Sequence, residues 1–235
     1  MAHPSPLPPE GHPHPTLLSD FILGCQDGLV NVLGILLGLA AAGAGGKLIL
    51  IGAVAALSAE TISMGAVGYT STLSRRNLYN SEVQRELREM RELPDAEREE
   101  VRQILRKWGY EGEEVETMLR MIEAKPKAWL DIMMAFELNL SEVDAHQPRN
   151  TALVVLGATV TGSVIPILPF IAHLGTITQE TLVSIVLSGA SLFTIGWYEA
   201  RITLGRIWIN GPRMLLIGLS AGFAGFLAGW LLHAY

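Results

Sequence analysis

Apolar residues run along this chain in five long blocks, at about Phe21–Ala42, Leu48–Tyr69, Thr151–His173, Leu182–Ala200 and Met214–Leu232. Each block is close to the roughly 20 residues that an α-helix needs to cross about 30 Å of hydrocarbon. A soluble domain rarely contains one such block, so five predict an all-α integral membrane protein with five transmembrane helices. Glycine recurs inside the blocks, and Gly34-Ile35-Leu36-Leu37-Gly38 and Gly218-Leu219-Ser220-Ala221-Gly222 fit the small-xxx-small pattern that lets helix backbones approach closely in lipid. Pro166 and Pro169 are expected to kink the third span.

Between the second and third blocks the pattern changes to polar. Of 23 acidic residues 17 lie between Ser74 and Gln147, as do 12 of the 17 basic ones. The second span runs without a breaker through Arg91, and Leu93-Pro94-Asp95 ends it. Pro94 suits the first turn of a helix reaching Gly109. A short helix is expected over Glu113–Ala124, and Pro126 opens a last one over Lys127–Leu140. The expected organisation is a disordered tail at 1–19, two spans within 20–73, a three-helix cytoplasmic insert at 74–147, and three spans within 148–235. The tail carries His3, His12 and His14 among prolines, a composition with no core to bury.

Orientation follows from the flanking charges. Arg75, Arg76, Arg149, Arg201, Arg206 and Arg213 lie at one side of the spans and Lys47 alone at the other. The positive-inside rule puts the N-terminus and insert in the cytoplasm and the C-terminus at Tyr235 on the opposite side. The net charge of −6 argues against a nucleic-acid partner, and the one cysteine, Cys25, permits no internal disulfide.

Candidate chemistry stands out against this background. Asp27 and Glu60 are carboxylates inside apolar spans, a placement costing roughly 2.5–3.5 kcal/mol on insertion scales and usually marking an ion path. Asn31 is four residues after Asp27 and Met64 four after Glu60, so each pair shares a helix face. A carboxylate with a thioether suits a borderline divalent ion such as ferrous iron. In the insert Glu82, Glu86 and Glu89 share one face, Glu97 and Glu100 repeat the spacing, and Met133, Met134 and Glu137 form a compact group. These sets are able to converge on metal ions. Composition alone slightly favours a solvated face neutralised by Arg85, Arg88, Arg91 and Arg98.

These residues carry a resemblance. Asp27-Gly28-Leu29-Val30-Asn31, then Ser63-Met64-Gly65 with Tyr69, resemble the first two helices of the vacuolar iron transporter family. Ser81-Glu82-Val83, Glu86, Glu89, Glu97, Glu100, Lys125-Pro126-Lys127-Ala128-Trp129-Leu130-Asp131 and Met133-Met134-Ala135-Phe136-Glu137-Leu138 resemble its metal-binding insert. The likeness runs from Ser19 nearly to the C-terminus. It implies a homodimeric, proton-coupled exporter of ferrous iron from the cytosol, with manganese and zinc as further ions, all cargo and none a cofactor. It implies that Asp27 and Met64 line the path near the two-fold axis. It also implies that Glu86, Glu89, Glu97, Glu100, Met133, Met134 and Glu137 bind metal. Gly68 departs from the family, which commonly has a glutamate there, and Glu60, two turns earlier, is expected to supply the missing charge. A bacterial inner membrane and a vacuolar membrane both suit the chain. Two other classes stay open: a membrane-anchored di-iron oxidase, disfavoured because the Glu-x-x-Glu pairs lack the histidine of Glu-x-x-His sites, and a non-transporting metal-binding scaffold.

Overall fold

The computed structural model describes residues 15–202 and 206–233. The tail histidines and Tyr235 lie outside them. The described residues are helical and form two compact units: Thr70–Pro148, and the remainder on either side of it. The helices are α1 (Pro15–Ala41), α2 (Gly46–Glu92), α3 (Pro94–Lys107), α4 (Glu113–Glu123), α5 (Pro126–Ile132), α6 (Gln147–Ile171), α7 (Ile177–Ile202) and α8 (Ile207–His233). Five of them, α1, α2, α6, α7 and α8, are long and apolar enough to cross a membrane.

In the membrane unit the glycines decide the packing. A Cβ built on Gly225 or Gly229 would run into the backbone of Gly34 or Gly38, and one on Gly38 would lie 2.9 Å from Gly225 O. The Gly34/Gly38 pair on α1 therefore meets Ala221, Gly225 and Gly229 on α8, backbone to backbone. Gly24 and Gly28 do the same against α6, where built Cβ atoms would lie 2.8 Å from Val155 O and 2.5 Å from Ser163 Oγ. Gly196 on α7 is closed by Asn210 O, 2.6 Å from its built Cβ. Without a hydrophobic drive between helices in lipid, such close approach is what dispersion and weak polar contacts require. Large side chains such as Ile62, Val186 and Leu216 are exposed on the outer faces, as lipid-facing positions are.

All five spanning helices begin before their apolar blocks, and two of the starts have a local cause. α7 starts at Ile177, where Gln179 Oε1 accepts from the Thr176 N–H at 2.9 Å and caps the entry. α8 starts at Ile207 because the Arg206 carbonyl accepts the Ile209 and Asn210 N–H groups, at 2.9 and 3.0 Å. Pro212 then falls in an early turn, where it removes only one donor. α6 runs through Pro166 and Pro169, and Ser184 Oγ of α7 donates to Pro166 O at 2.8 Å.

In the other unit Leu93, with φ −128° and ψ 46°, leaves the helical region that a following proline disfavours, and Pro94 opens α3. Gly109, at φ 92°, terminates α3 in a left-handed turn. Its N–H donates to Arg106 O at 3.0 Å and that of Tyr110 to Leu105 O at 3.2 Å. The core is Val101, Ile104, Leu105, Val115, Leu119, Trp129 and Met133. The last helix differs from the expected Lys127–Leu140. α5 ends at Ile132, and Met133–Glu137 form a π-helical turn, with Leu138 N–H donating to Met133 O at 3.2 Å. Asn139, at φ 52°, ends the helical run. Met133 and Met134 are both buried in this turn.

Candidate metal-handling sites

Within the Thr70–Pro148 unit, one carboxylate oxygen from each of Glu86, Glu89 and Glu97 lies within 4.8 Å of the others. Glu86 and Glu89 come from one face of α2, and Glu97 from the first turn of α3. The turn at Leu93–Pro94 folds one face onto the other. Glu86 and Glu97 are buried, 3% and 4% exposed, and each has an Oε2 that is buried without a hydrogen-bond partner. Burial, then the charges of Glu137, Glu89 and Glu100, pushes Glu86 up to about 7. Burial, then Glu100, Glu86, Glu137 and Glu89, pushes Glu97 up to about 7. Glu137 is also raised, by burial and then by Glu100 and Glu89. Glu89 and Glu100 thus act on Glu86, Glu97 and Glu137 alike, and Met133 and Met134 are buried in the same π turn as Glu137.

Among the described residues the arginines pair with only Glu89 of this group; their other partners are acids outside it. Arg85 pairs with Glu89 at 3.1 Å and Glu82 at 3.8 Å. Arg98 pairs with Asp95 at 2.6 Å and also with Glu123, Arg102 with Glu116 at 2.7 Å and Glu99 at 3.3 Å, and Arg106 with Glu99 at 3.2 Å. The solvated-face reading holds for Glu82, Asp95, Glu99, Glu116 and Glu123. It fails for Glu86 and Glu97, because a face in water would not leave two carboxylates buried with open acceptor oxygens.

In the membrane unit, Asn31 Nδ2 on α1 donates to Glu60 Oε1 on α2. The Asp27 carboxylate lies close enough to Glu60 to act on it both by charge and by hydrogen bonding. The second Glu60 oxygen is buried and unpartnered. Asn31 and Glu60 line a cleft of about 730 Å³ whose other walls are Gly34, Gly38 and Gly225 and their neighbours on α1, α2 and α8. The cleft is apolar apart from this pair. Met64, half-buried, stays one turn from Glu60 on α2 and is not among the cleft-lining residues. Gly68 is buried against α6, with a built Cβ 3.3 Å from Val155 Cγ2 and 3.5 Å from Ala152 Cα. A side chain there would meet Val155 and Ala152 of α6 at once, so the departure from the family pattern coincides with close helix packing.

One acid escaped the sequence reading. Glu180, two residues before the Leu182–Ala200 block, is in the first turn of α7 and only 5% exposed. Its signal was the i, i+4, i+8 spacing of Glu180, Ser184 and Ser188.

The five long apolar helices define a multi-pass helical membrane protein. The VIT family model matches residues 18–230, and the chain belongs to that family. It is 33% identical over 210 residues to vacuolar iron transporter 2 of Oryza sativa subsp. japonica, covering 89% of this chain and 85% of the relative. It is 32% identical to vacuolar iron transporter 1 of Arabidopsis thaliana, over 89% and 84% of the two chains. Protein CCC1 of Saccharomyces cerevisiae is 26% identical, over 90% and 68%.

Proposed function

We propose that this protein transports ferrous iron, and manganese as a second cargo, out of the cytosol in exchange for protons, as a homodimer with the Thr70–Pro148 unit on the cytoplasmic side. The observation that carries the reading is the Glu86–Glu89–Glu97 group, whose buried open oxygens need a cation or a proton. Family membership supports transport over storage. Glu100, Glu137, Met133 and Met134 complete the donor set on the insert, and hard carboxylates with soft thioethers favour ferrous iron over magnesium or calcium. Asp27, Glu60 and Met64 serve the membrane path. A carboxylate that binds metal must first lose its proton, and one left in a low-dielectric site regains it, so the same groups can exchange the two cargoes.

The test is ion flux in proteoliposomes with an imposed pH gradient, across ferrous iron, manganese, zinc and magnesium. The expected result is gradient-driven movement of ferrous iron and manganese, abolished by Asp27→Asn. Flux of no metal would favour a scaffold. Iron-dependent oxygen consumption by the purified protein would favour an oxidase, although the Glu86–Glu89–Glu97 group includes no histidine.

A further inference from the structure

We propose that a cleft between the early turns of α1 and α8 and the last turns of α7, rimmed by arginine, binds an anionic phospholipid. It needs only the membrane that the five spanning helices require, and it stands whatever ion the protein carries.

Charge singles out this end of the membrane unit. The chain carries a net −6, yet between Trp197 and Arg213 it has three arginines, Arg201, Arg206 and Arg213, against one acid, Glu199. The other charged residues of the membrane unit at this end, Asp20 on α1 and Arg149 on α6, are one of each sign. Glu199 does not use up its partner. Its Oε1 lies 3.9 Å from Arg213 Nη2, at the outer limit of an ion pair, and the Arg213 side chain is 57% exposed. A guanidinium has five N–H donors, so Arg213 keeps several for another acceptor. Arg206 is exposed and stands two turns before Arg213, about 10 Å along the helix axis. Arg201 lies over the Trp197 ring, 5.4 Å from its centroid. Trp208 is 87% exposed. Arginines beside outward-facing tryptophans mark the level of the lipid headgroups.

The cleft below this rim has a volume of about 440 Å³. Arg213 and Glu199 stand at its mouth, and Leu23 of α1 and Ile217 of α8 form its walls. Leu23 and Ile217 are 55% and 50% exposed, so hydrocarbon reaches them. Gln26 lines the cleft as well, seven residues after Ser19 at the mouth and therefore about 10 Å deeper along α1. A cationic mouth over apolar walls is the complement of a phospholipid. The phosphodiester meets Arg213, the glycerol esters come within the depth spanned by Ser19 and the Gln26 amide, and the acyl chains run along Leu23 and Ile217. A free phosphate would leave the apolar walls uncovered. A zwitterionic lipid would bring a second cation to a rim that already has an excess of them, so the headgroup that fits carries net negative charge. Basic pockets between membrane helices bind such headgroups on the cytoplasmic side, where the positive-inside rule puts this end. The bound lipid joins α1 to α7 and α8, and a ligand that binds only the folded state stabilises it.

The experiment is lipid binding by the detergent-purified full chain, read as melting temperature and, by native mass spectrometry, as lipid retained. The probes are phosphatidylglycerol, phosphatidylcholine with the same acyl chains, and inorganic phosphate. Phosphatidylglycerol should raise the melting temperature saturably and stay bound at one lipid per chain, while the other two do neither. Arg206→Gln/Arg213→Gln should weaken phosphatidylglycerol binding by about 30-fold, each arginine near an anionic lipid being worth about fivefold. Ile217→Trp narrows the cleft and keeps every charge, and it should weaken binding at least several-fold. Lys107→Gln/Arg120→Gln makes the same charge change on the exposed surface of the insert and should leave binding as in the parent. Unchanged binding in Arg206→Gln/Arg213→Gln, or equal weakening in the Lys107/Arg120 pair, would reduce the effect to diffuse attraction and overturn the site. An equal response to phosphatidylcholine would overturn the choice of an anionic headgroup, and an equal response to phosphate would overturn the lipid. Should the double arginine variant fail to fold, Ile217→Trp decides alone, and unchanged binding there defeats the proposal.

Discussion

Metal binding by the insert should depend steeply on pH, and the structure sets the size of the effect. Glu86 and Glu97 are pushed up to about 7, chiefly by burial. A metal ion needs both ionised, so protons compete with it. Treated as independent groups, each is about 9% ionised at pH 6 and about 91% at pH 8. The fraction with both ionised therefore rises about 100-fold, equivalent to about 2.7 kcal/mol of apparent binding free energy. Binding at pH 6 should release close to two protons per ion, and at pH 8 close to none. Calorimetry with manganese on detergent-purified Asp27→Asn/Glu60→Gln protein isolates the insert. Repeating it in two buffers of different ionisation enthalpy counts the protons. Glu97→Gln should halve the proton count at pH 6 and flatten the pH dependence to about tenfold. An affinity that varies less than about threefold between pH 6 and 8, or no proton release at pH 6, would show that these two carboxylates are not the ligands.

The same two groups set the stability of the metal-free insert. A carboxyl whose value is raised on folding stabilises the fold fully below its unfolded value of 4.5 and loses that contribution as pH climbs through about 7. Hydrogen exchange across residues 94–137 should therefore be slower at pH 5 than at pH 8 after correction for intrinsic rates, by about 1–3 kcal/mol of opening free energy, and saturating manganese at pH 8 should close the gap. Leu105→Ala, fully buried in the insert core, should cost about 2–5 kcal/mol by the same measurement. Gly225→Leu should abolish the folded membrane unit, because even a Cβ there meets the Gly34 backbone; a normal melting temperature would refute the close α1–α8 contact. In a cysteine-accessibility scan, Glu111 should label from the cytoplasmic side and Lys47 from the other, and labelling of both from one side would refute the orientation.

What was legible in the sequence divides along a physical line. Spans were visible because lipid demands long uninterrupted apolar stretches, and the break at Leu93–Pro94 because proline constrains its neighbour. The start of α7 was missed because its first turn is polar and capped, and that of α8 because Asn210-Gly211-Pro212-Arg213 separates its apolar first turn from the Met214–Leu232 block. The π turn at Met133–Glu137 was invisible because a wider turn leaves no periodic trace in five residues. Pairings across helices were out of reach altogether. Spacing matched Asp27 with Asn31 and Glu60 with Met64, each along its own helix. The bond that forms is between Asn31 and Glu60, 29 residues apart.

Burial was the other hidden variable, and it separates acids that look alike in sequence. Glu97 and Glu99 sit two apart in one helical turn, and nothing in their composition shows which of them is buried. Folding turns Glu97 inward against Glu86 and leaves Glu99 to Arg102 and Arg106. The intervening Arg98 reaches away, to Asp95 and Glu123. Had that guanidinium turned toward Glu97, the cost of burying the carboxylate would be met by an ion pair, and no cation would be needed. The insert instead spends its arginines on Glu82, Glu89, Asp95, Glu99, Glu116 and Glu123 and leaves the two buried acids, Glu86 and Glu97, open. That allocation of partners is what distinguishes a site able to exchange protons for metal from an ordinary charged helix face.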